Sequence, residues 1–415
     1  MGQIVASAFR FSRTPAAMLL IMAGAMQFAN AVWMTLLNNF AIREAGFSGA
    51  EIGALQSVRE IPGFLAFTAV FVLLLIREQR FALVSLGLFG FGVALTGFLP
   101  SFWGLCLTTL IMSVGFHYYE TMSQSLSLQW LAKAEAPRML GRIVGASSFA
   151  AILGYALVYV LWKLAGMDFL ALYLLAGGVT LLIAAGLWIA FPQFKEAVPQ
   201  RKTLFLRRRY WLYYALVFMS GARRQIFVVF AGFLLVERFG FSVPAVAALY
   251  FLNQVLNTIL APYIGAMIGR FGERRVLITE YCGLVVIFAG YGLASSGLVA
   301  GSLYVADHVF FAMAIAMRTY FQKIADPADI APTAGVAFSI SHIAAIVIPV
   351  GFGLVWLWSS TAVFMMGAGM AGISLLLALL VPRHPEAGRE TLLPAGRVPW
   401  LDEKPKAGEK PLAAE

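Results

Sequence analysis

The chain repeats itself at a fixed offset of 194 residues, and no other feature constrains its fold as much. Gly46-Phe47-Ser48, Ile52 and Ala54-Leu55 recur as Gly240-Phe241-Ser242, Val246 and Ala248-Leu249. At the same offset Gly141 falls on Gly335, Ser147 on Ser341, Ala150-Ala151-Ile152 on Ala344-Ala345-Ile346, and Trp162 on Trp356, with no gap. Both copies consist of long apolar segments. A repeat of this length means that one supersecondary unit was used twice and that the two copies pack against each other.

The segments are too apolar for a soluble core. The chain of 415 residues is 61% hydrophobic and 12% charged. A soluble chain is nearer half apolar and a quarter charged. A bilayer core of roughly 30 Å needs about 20 apolar residues per helix. On that measure twelve spans are predicted. In the first half they cover 15–38, 51–76, 81–99, 102–130, 140–163 and 168–191; in the second, 211–236, 244–269, 276–296, 302–323, 333–357 and 361–381. The predicted organisation is an N-terminal stretch 1–14, a six-helix bundle 15–191, a basic linker 192–210, a second bundle 211–381 and a disordered tail 382–415 rich in Pro and charge. The apolar run after the basic residues 1–14 is long enough to span, so no cleavable signal peptide is expected. Cys106 and Cys282 both fall inside apolar segments and read as inert packing residues.

Lys and Arg set the orientation. On one side lie Arg10, Arg13, Arg77, Arg80, Lys133, Arg138, Arg142, Lys195, Arg201, Lys202, Arg207 to Arg209, Arg270, Arg274, Arg275 and Lys323; on the other lie Arg43, Lys163 and Arg238. Both termini are therefore expected to be cytoplasmic, in a plasma (inner) membrane. The net charge of +10 sits in loops between spans, so it reads as a topology anchor facing lipid headgroups and not as a nucleic-acid patch.

One loop carries a local motif. Gly265, Met267, Gly269, Arg270, Gly272, Arg274 and Arg275 follow the pattern G-x-L-x-D-R-x-G-R-R, with Gly269 where the pattern has Asp. The first-half copy is reduced to Arg77-Glu78-Gln79-Arg80. With twelve spans, the six-plus-six repeat and a basic central loop, the chain resembles the major facilitator superfamily over residues 15–381. The resemblance implies an all-α polytopic membrane protein, twelve transmembrane helices in two pseudo-symmetric six-helix bundles, with substrate bound where the halves meet. In the family the motif loop is associated with locking one face. Two other family patterns are absent: Gly115-Phe116-His117 stands where an Arg-Gly pair is common in the fourth span, and 140–163 lacks the Gly-Pro pattern of many antiporters.

Charge in hydrocarbon is expensive, so each ionisable residue deep in a span is a functional candidate. Arg223 and Arg224 lie midway along the seventh span, where the first half has Ala29 and Asn30. Arg59 and Glu60 in the second span correspond to Asn253 and Gln254. Adjacent helical residues point about 100° apart. One arginine is thus expected to face the central cavity and the other an interhelical partner such as Glu60 or Glu120. The guanidinium fork suits a carboxylate or phosphate, which reads as an anion-binding site; the alternative is a buried ion pair that holds the bundle together. His117, Glu120, Thr121 and Gln124 form one polar stripe on the fourth span, flanked by Tyr118 and Tyr119; lining a wet cavity, such a stripe can bind substrate or relay a proton, which makes His117, Thr121 and Gln124 substrate-binding candidates. Glu120 reads as a proton carrier or as a plain counter-ion to an arginine, with Glu60 and Asp307 as further protonation candidates and Arg59 as an ion-pair partner. Glu280, near its helix end, and Arg318 are expected to snorkel. His342 is expected to be a packed, hydrogen-bonding residue. Gln27 and Asn30 in the first span are substrate-contact candidates, as spans 1, 4, 7 and 10 line the cavity in the family. Asn253, Gln254 and Asn257 either do the same or bond across helices.

No enzyme signature is present, no phosphate loop that would imply ATP driving, and no His or Cys spacing that suggests a metal; no cofactor is expected. The function expected is secondary active transport of a small, anionic organic solute by proton-coupled alternating access, by a monomer. The alternatives are efflux of amphipathic drugs in exchange for protons and a non-transporting membrane sensor with the same fold.

Overall fold

The computed structural model describes residues 13–131, 136–194, 207–326 and 330–393. Arg10, Lys133, Lys195, Arg201, Lys202 and most of the basic linker and tail lie outside the described residues.

The described chain is helical. In the first half α1 is Pro15–Arg43, α2 Gly49–Phe64, α3 Glu78–Thr96, α4 Phe102–Trp130, α5 Ala136–Leu164 and α6 Phe169–Ala190. In the second, α7 is Trp211–Gln225, α8 Val243–Phe271, α9 Glu273–Leu293, α10 Gly297–Ala312, α11 Ile330–Trp356 and α12 Ser360–Leu379. Among the described residues ten helical stretches are long and apolar enough to cross a bilayer. The two that fall short of that test, α2 and α4, carry Arg59, Glu60, His117 and Glu120. Three helices are broken. After Pro62, which has no N–H to donate, α2 passes into a 3-10 turn at Leu65–Thr68 and resumes at Ala69–Leu73. The predicted span 51–76 is therefore not one regular helix. A π segment, Ile226–Ala231, follows α7 directly after Arg223 and Arg224 and leads into Gly232–Glu237. The chain of α10 breaks at Met313 and Ala314 and resumes at Ile315–Ile324.

The Gly-Phe-Ser repeat has a local cause. Gly46 and Gly240 both adopt φ 66°, a conformation that favours glycine. The next residue closes the helix end by a bond six positions back in each half: Phe47 N donates to Ala41 O at 2.9 Å, and Phe241 N to Leu235 O at 2.9 Å. Ser48 then caps α2 with a reciprocal Glu51 capping box, and Ser242 occupies the N-cap of α8. Gly272, within the motif loop, has φ 80° and allows α8 to turn straight into α9.

The halves meet along α2 with α11 and α5 with α8. These contacts concentrate at the end of the molecule that holds Gly46. A Cβ on Gly49 would lie 2.1 Å from the Trp356 ring, one on Gly53 2.2 Å from the Pro349 carbonyl, and one on Gly353 2.6 Å from the Gly49 carbonyl. Ser57 Oγ donates to Ile346 O at 2.6 Å across the same seam. Tyr155 of α5 meets Tyr250 of α8 with ring centroids 5.7 Å apart. Toward the opposite end, which holds Arg77 and Phe271, the same helices come apart. Gly141 and Gly145 on α5, and Gly265 and Gly269 on α8, have nothing within 4 Å of a built Cβ. Phe71, Leu74 and Leu75, where α2 ends, are exposed. The seam between the halves is thus close-packed at the Gly46 end, and no such close approach is found at the Arg77 end among the described residues.

Close glycine packing makes the seal sensitive to bulk. Gly53→Val is expected to force the seam apart, at a cost of about 1–3 kcal/mol. Ser57, 4% exposed, reports on it. In a background lacking Cys106 and Cys282, a Ser57→Cys thiol should label several-fold faster with a small maleimide once Gly53→Val is added. Equal labelling rates would mean that the seam tolerates the side chain.

Three expectations are corrected here. Residues 382–393 are not free coil: Leu392 N donates to Leu380 O at 2.8 Å and Tyr320 Oη donates to Glu390 O, so the start of the tail lies against α10 and α12. Cys282 is exposed, whereas Cys106 is buried. Glu280 does not snorkel, because it lies 7 residues into α9 on its buried face, is fully buried and comes within 3.9 Å of Arg223.

Candidate functional site

The charged residues of the spans sort into three groups. The first lies in the open cleft. Most of the Arg208–Glu237 stretch that contains α7 is buried, and Arg224 is exposed in its middle. Its charge lies within electrostatic range of Glu120 of α4, in the opposite half. Glu120 is half-buried. Gln124, one turn further along α4, is exposed to the same cleft, while Thr121 Oγ1 is turned back onto the His117 carbonyl at 2.8 Å. Gln27 and Asn30 on α1 are half-buried. On α8 and α10, Asn253 Nδ2 donates to His308 Nδ1 at 3.3 Å, with Asn257 exposed nearby. The wall beside them is aromatic: Tyr250 stacks on Tyr304 at 5.7 Å, and Phe227 packs on Tyr304 at 4.8 Å and on His308 at 4.9 Å.

The second group is sealed inside the second half. Arg223, 2% exposed, points away from Arg224, as adjacent helical positions must. Its partner is neither Glu60 nor Glu120. Arg223 Nη2 lies 3.9 Å from Glu280 Oε1, its Nε donates to the Met219 carbonyl at 3.2 Å, and its guanidinium sits 4.4 Å from the centre of the Tyr281 ring. Asp307, 1% exposed, lies within electrostatic range of Arg223 and Glu280. The charge reading of the sequence missed Glu280, which hydropathy places near a helix end. Its spacing from Val276 and Leu277, on the buried face of α9, is the signal that finds it.

The third group lies on the seam between the halves. Arg59 Nη2 and Nε both donate to Glu60 Oε1, at 2.8 and 3.2 Å. Ser113 Oγ donates to the Arg59 carbonyl. His342 of α11 bonds the Phe338 carbonyl through Nδ1 at 2.9 Å, the hydrogen bond expected of it, and also presents Nε2 to Glu60 Oε2 at 3.7 Å. His117 stacks edge-on against His342 with centroids 5.2 Å apart. No local spacing could show this group, because its members come from α2, α4 and α11.

The first two groups separate the arginine pair: the Arg224 guanidinium is exposed, and that of Arg223 is internal to a half. The cleft, flanked by both halves, closed at one end and open at the other, is the geometry of a solute carrier. The family model of the Major Facilitator Superfamily matches residues 17–349. The chain belongs to this superfamily. Solved structures of superfamily transporters share its fold. A single-site variant of the nucleoside transporter NupG superposes with a TM-score of 0.74 at 15% identity, covering 88% of this chain and 99% of that one. NupG itself gives 0.69 at 16% identity, covering 88% and 98%. A bacterial homologue of the human lysosomal transporter Spinster, in an inward-facing and occupied conformation, gives 0.68 at 14% identity, covering 92% and 98%. No curated protein matches the sequence. As in other members of the superfamily, the chain is an integral membrane protein and a transporter by fold.

Proposed function

We propose that this superfamily member is a secondary active transporter that moves a small organic anion by alternating access, coupled to protons. The observation that carries the reading is Arg224: a permanent cation exposed in the middle of the largely buried Arg208–Glu237 stretch, within electrostatic range of a carboxyl of the other half. An uncompensated guanidinium is costly at that depth, and a bound anion offsets the cost. Gln124, Gln27 and Asn30 supply neutral hydrogen-bonding groups around it. Because Glu120 competes with solute for Arg224, a proton on Glu120 frees the guanidinium, and this links proton to substrate. With the basic loops cytoplasmic, the open end faces the cytoplasm.

The test is Arg224→Gln. It should leave the thermal unfolding midpoint within a few degrees of the parent while lowering uptake or solute-induced stabilisation at least about 100-fold, on the order of 3 kcal/mol for a charge-assisted contact. Normal binding of the same solute by Arg224→Gln would remove the anion site.

A second reading has one observation in its favour. The aromatic run of Tyr155, Tyr250, Tyr304 and Phe227 suits a flat, uncharged ring, and one fold neighbour is a nucleoside transporter. Stabilisation by nucleosides but by no organic anion would favour it.

A further inference from the structure

We propose that Glu60, His117 and His342 form a binding site for a first-row divalent transition metal, which ties the two halves together while the Gly46 end is closed.

The three side chains each offer one ligand atom, and these atoms all lie within 4.8 Å of one another. All three residues are buried. A zinc ion takes imidazole nitrogen at about 2.0–2.1 Å and carboxylate oxygen at about 2.0–2.2 Å, so tetrahedral donors sit roughly 3.4 Å apart. His342 Nε2 and Glu60 Oε2 are 3.7 Å apart. That is too long for a hydrogen bond and close to the bite of a metal.

The hydrogen bonds prepare the donors. A backbone carbonyl only accepts, so His342 Nδ1 carries a hydrogen, and in the neutral ring the lone pair of Nε2 points at Glu60, where a metal ion can take the place of a proton. A lone pair facing a carboxylate oxygen is repulsive unless a cation lies between them. A carbonyl accepting from the far ring nitrogen is also what metal-bound histidines have. His117 Nδ1 is buried with no hydrogen-bond partner. Arg59 takes only Oε1 of Glu60, which leaves Oε2 open.

The backbone leaves room. A Cβ on Gly63 would lie 2.3 Å from His342 Cδ2, 2.4 Å from its Nε2 and 2.7 Å from His117 Cε1. Any side chain at 63 would fill the space between the rings. Two imidazoles and a carboxylate favour zinc, nickel or cobalt over magnesium or calcium. Glu120, whose charge interacts with that of Glu60, adds negative charge nearby, whereas Arg59 opposes the ion. Affinity in the micromolar range is expected, not the nanomolar range of a closed structural site. Glu60 and His117 belong to the first half and His342 to the second. An ion here would thus hold the seam shut and slow turnover.

The experiment uses the full chain purified in detergent and stripped with EDTA, and reads thermal unfolding against Zn2+ and Mg2+, with Co2+ absorbance as the spectroscopic readout. Zn2+ should raise the midpoint by several degrees and saturate at micromolar concentration, and Mg2+ should not. Co2+ should give visible absorption bands of low coordination number. His342→Asn and His117→Gln should unfold like the parent in EDTA and lose the Zn2+ shift. His384→Ala, on the surface, should keep it. Arg59→Gln, by removing the opposing charge, should tighten binding about tenfold or more. No shift with Zn2+ up to millimolar concentration, or the same shift in His342→Asn as in the parent, would overturn the proposal. Binding is read without transport, so it stands or falls separately from the transport reading.

Discussion

Arg223→Gln is expected to lower the stability of the folded protein by about 3–5 kcal/mol, the cost of removing one partner of a buried pair. Arg223 is the cation facing Glu280 and Asp307, all three groups being at most 2% exposed. Their terminal oxygens and nitrogens have no hydrogen-bond partners among the described residues, so the guanidinium is held by its Nε bond to the Met219 carbonyl, by electrostatics and by the Tyr281 ring. Without Arg223 two carboxyls share an apolar pocket with no counter-charge. Unfolding should therefore begin well below the parent temperature, with a smaller monodisperse fraction on size exclusion. The double variant Arg223→Gln/Glu280→Gln should recover much of the loss, because neutral partners restore the charge balance. A contrasting outcome is informative. If Arg223→Gln unfolds like the parent but no longer binds solute, then the internal arginine reaches the cleft in another conformational state, and it belongs with Arg224 in the binding site.

The sequence makes the fold legible for physical reasons that particular residues show. Gly46-Phe47-Ser48 and Gly240-Phe241-Ser242 recur because each glycine must turn left-handed, each phenylalanine N–H closes a cap and each serine opens the next helix. Those demands are local, so they survive as identities. The opposed directions of Arg223 and Arg224 follow from helical pitch alone. Their partners do not. Glu280 comes from α9 and is brought to Arg223 by packing within the second half, which no periodicity in α7 records. His342 looks like a packed histidine along its own helix, and its bond to Phe338 fits that. Its second contact, to Glu60, exists only because Gly49, Gly53, Gly63 and Gly353 let α2 and α11 approach to backbone distance. The glycines were visible in the sequence, but the pairing of α2 with α11 is a property of the assembled halves. The breaks in α2, α7 and α10 were invisible for a related reason: the apolar runs continue through them, and hydropathy does not register a 3-10 or π turn.

Glu120→Gln is the second decisive variant, and its effect should fall on coupling and not on the ability to carry solute. Glu120 faces Arg224 across the cleft and has Glu60 as a second charged neighbour. As a carboxylate it attracts Arg224 of the other half, which lies within electrostatic range, and that attraction disfavours separation of the halves. As a carboxylic acid it loses that attraction. The two protonation states therefore differ in their interaction with the binding group and with the conformational change, which is the requirement for coupling a proton gradient to transport. Glutamine fixes the neutral form at nearly the same volume. In proteoliposomes, solute counterflow by Glu120→Gln should persist at a rate within about tenfold of the parent, since Arg224 stays free to bind. Accumulation against a gradient driven by an imposed pH difference should disappear, and the pH dependence of exchange should flatten. Arg224→Gln should abolish both activities, so the two variants separate binding from coupling. If Glu120→Gln still accumulates solute uphill as the parent does, the proton travels by another group. Asp307 is then the next carboxyl to test, because it is buried beside Arg223 and Glu280 and is the remaining acid of the tenth helix.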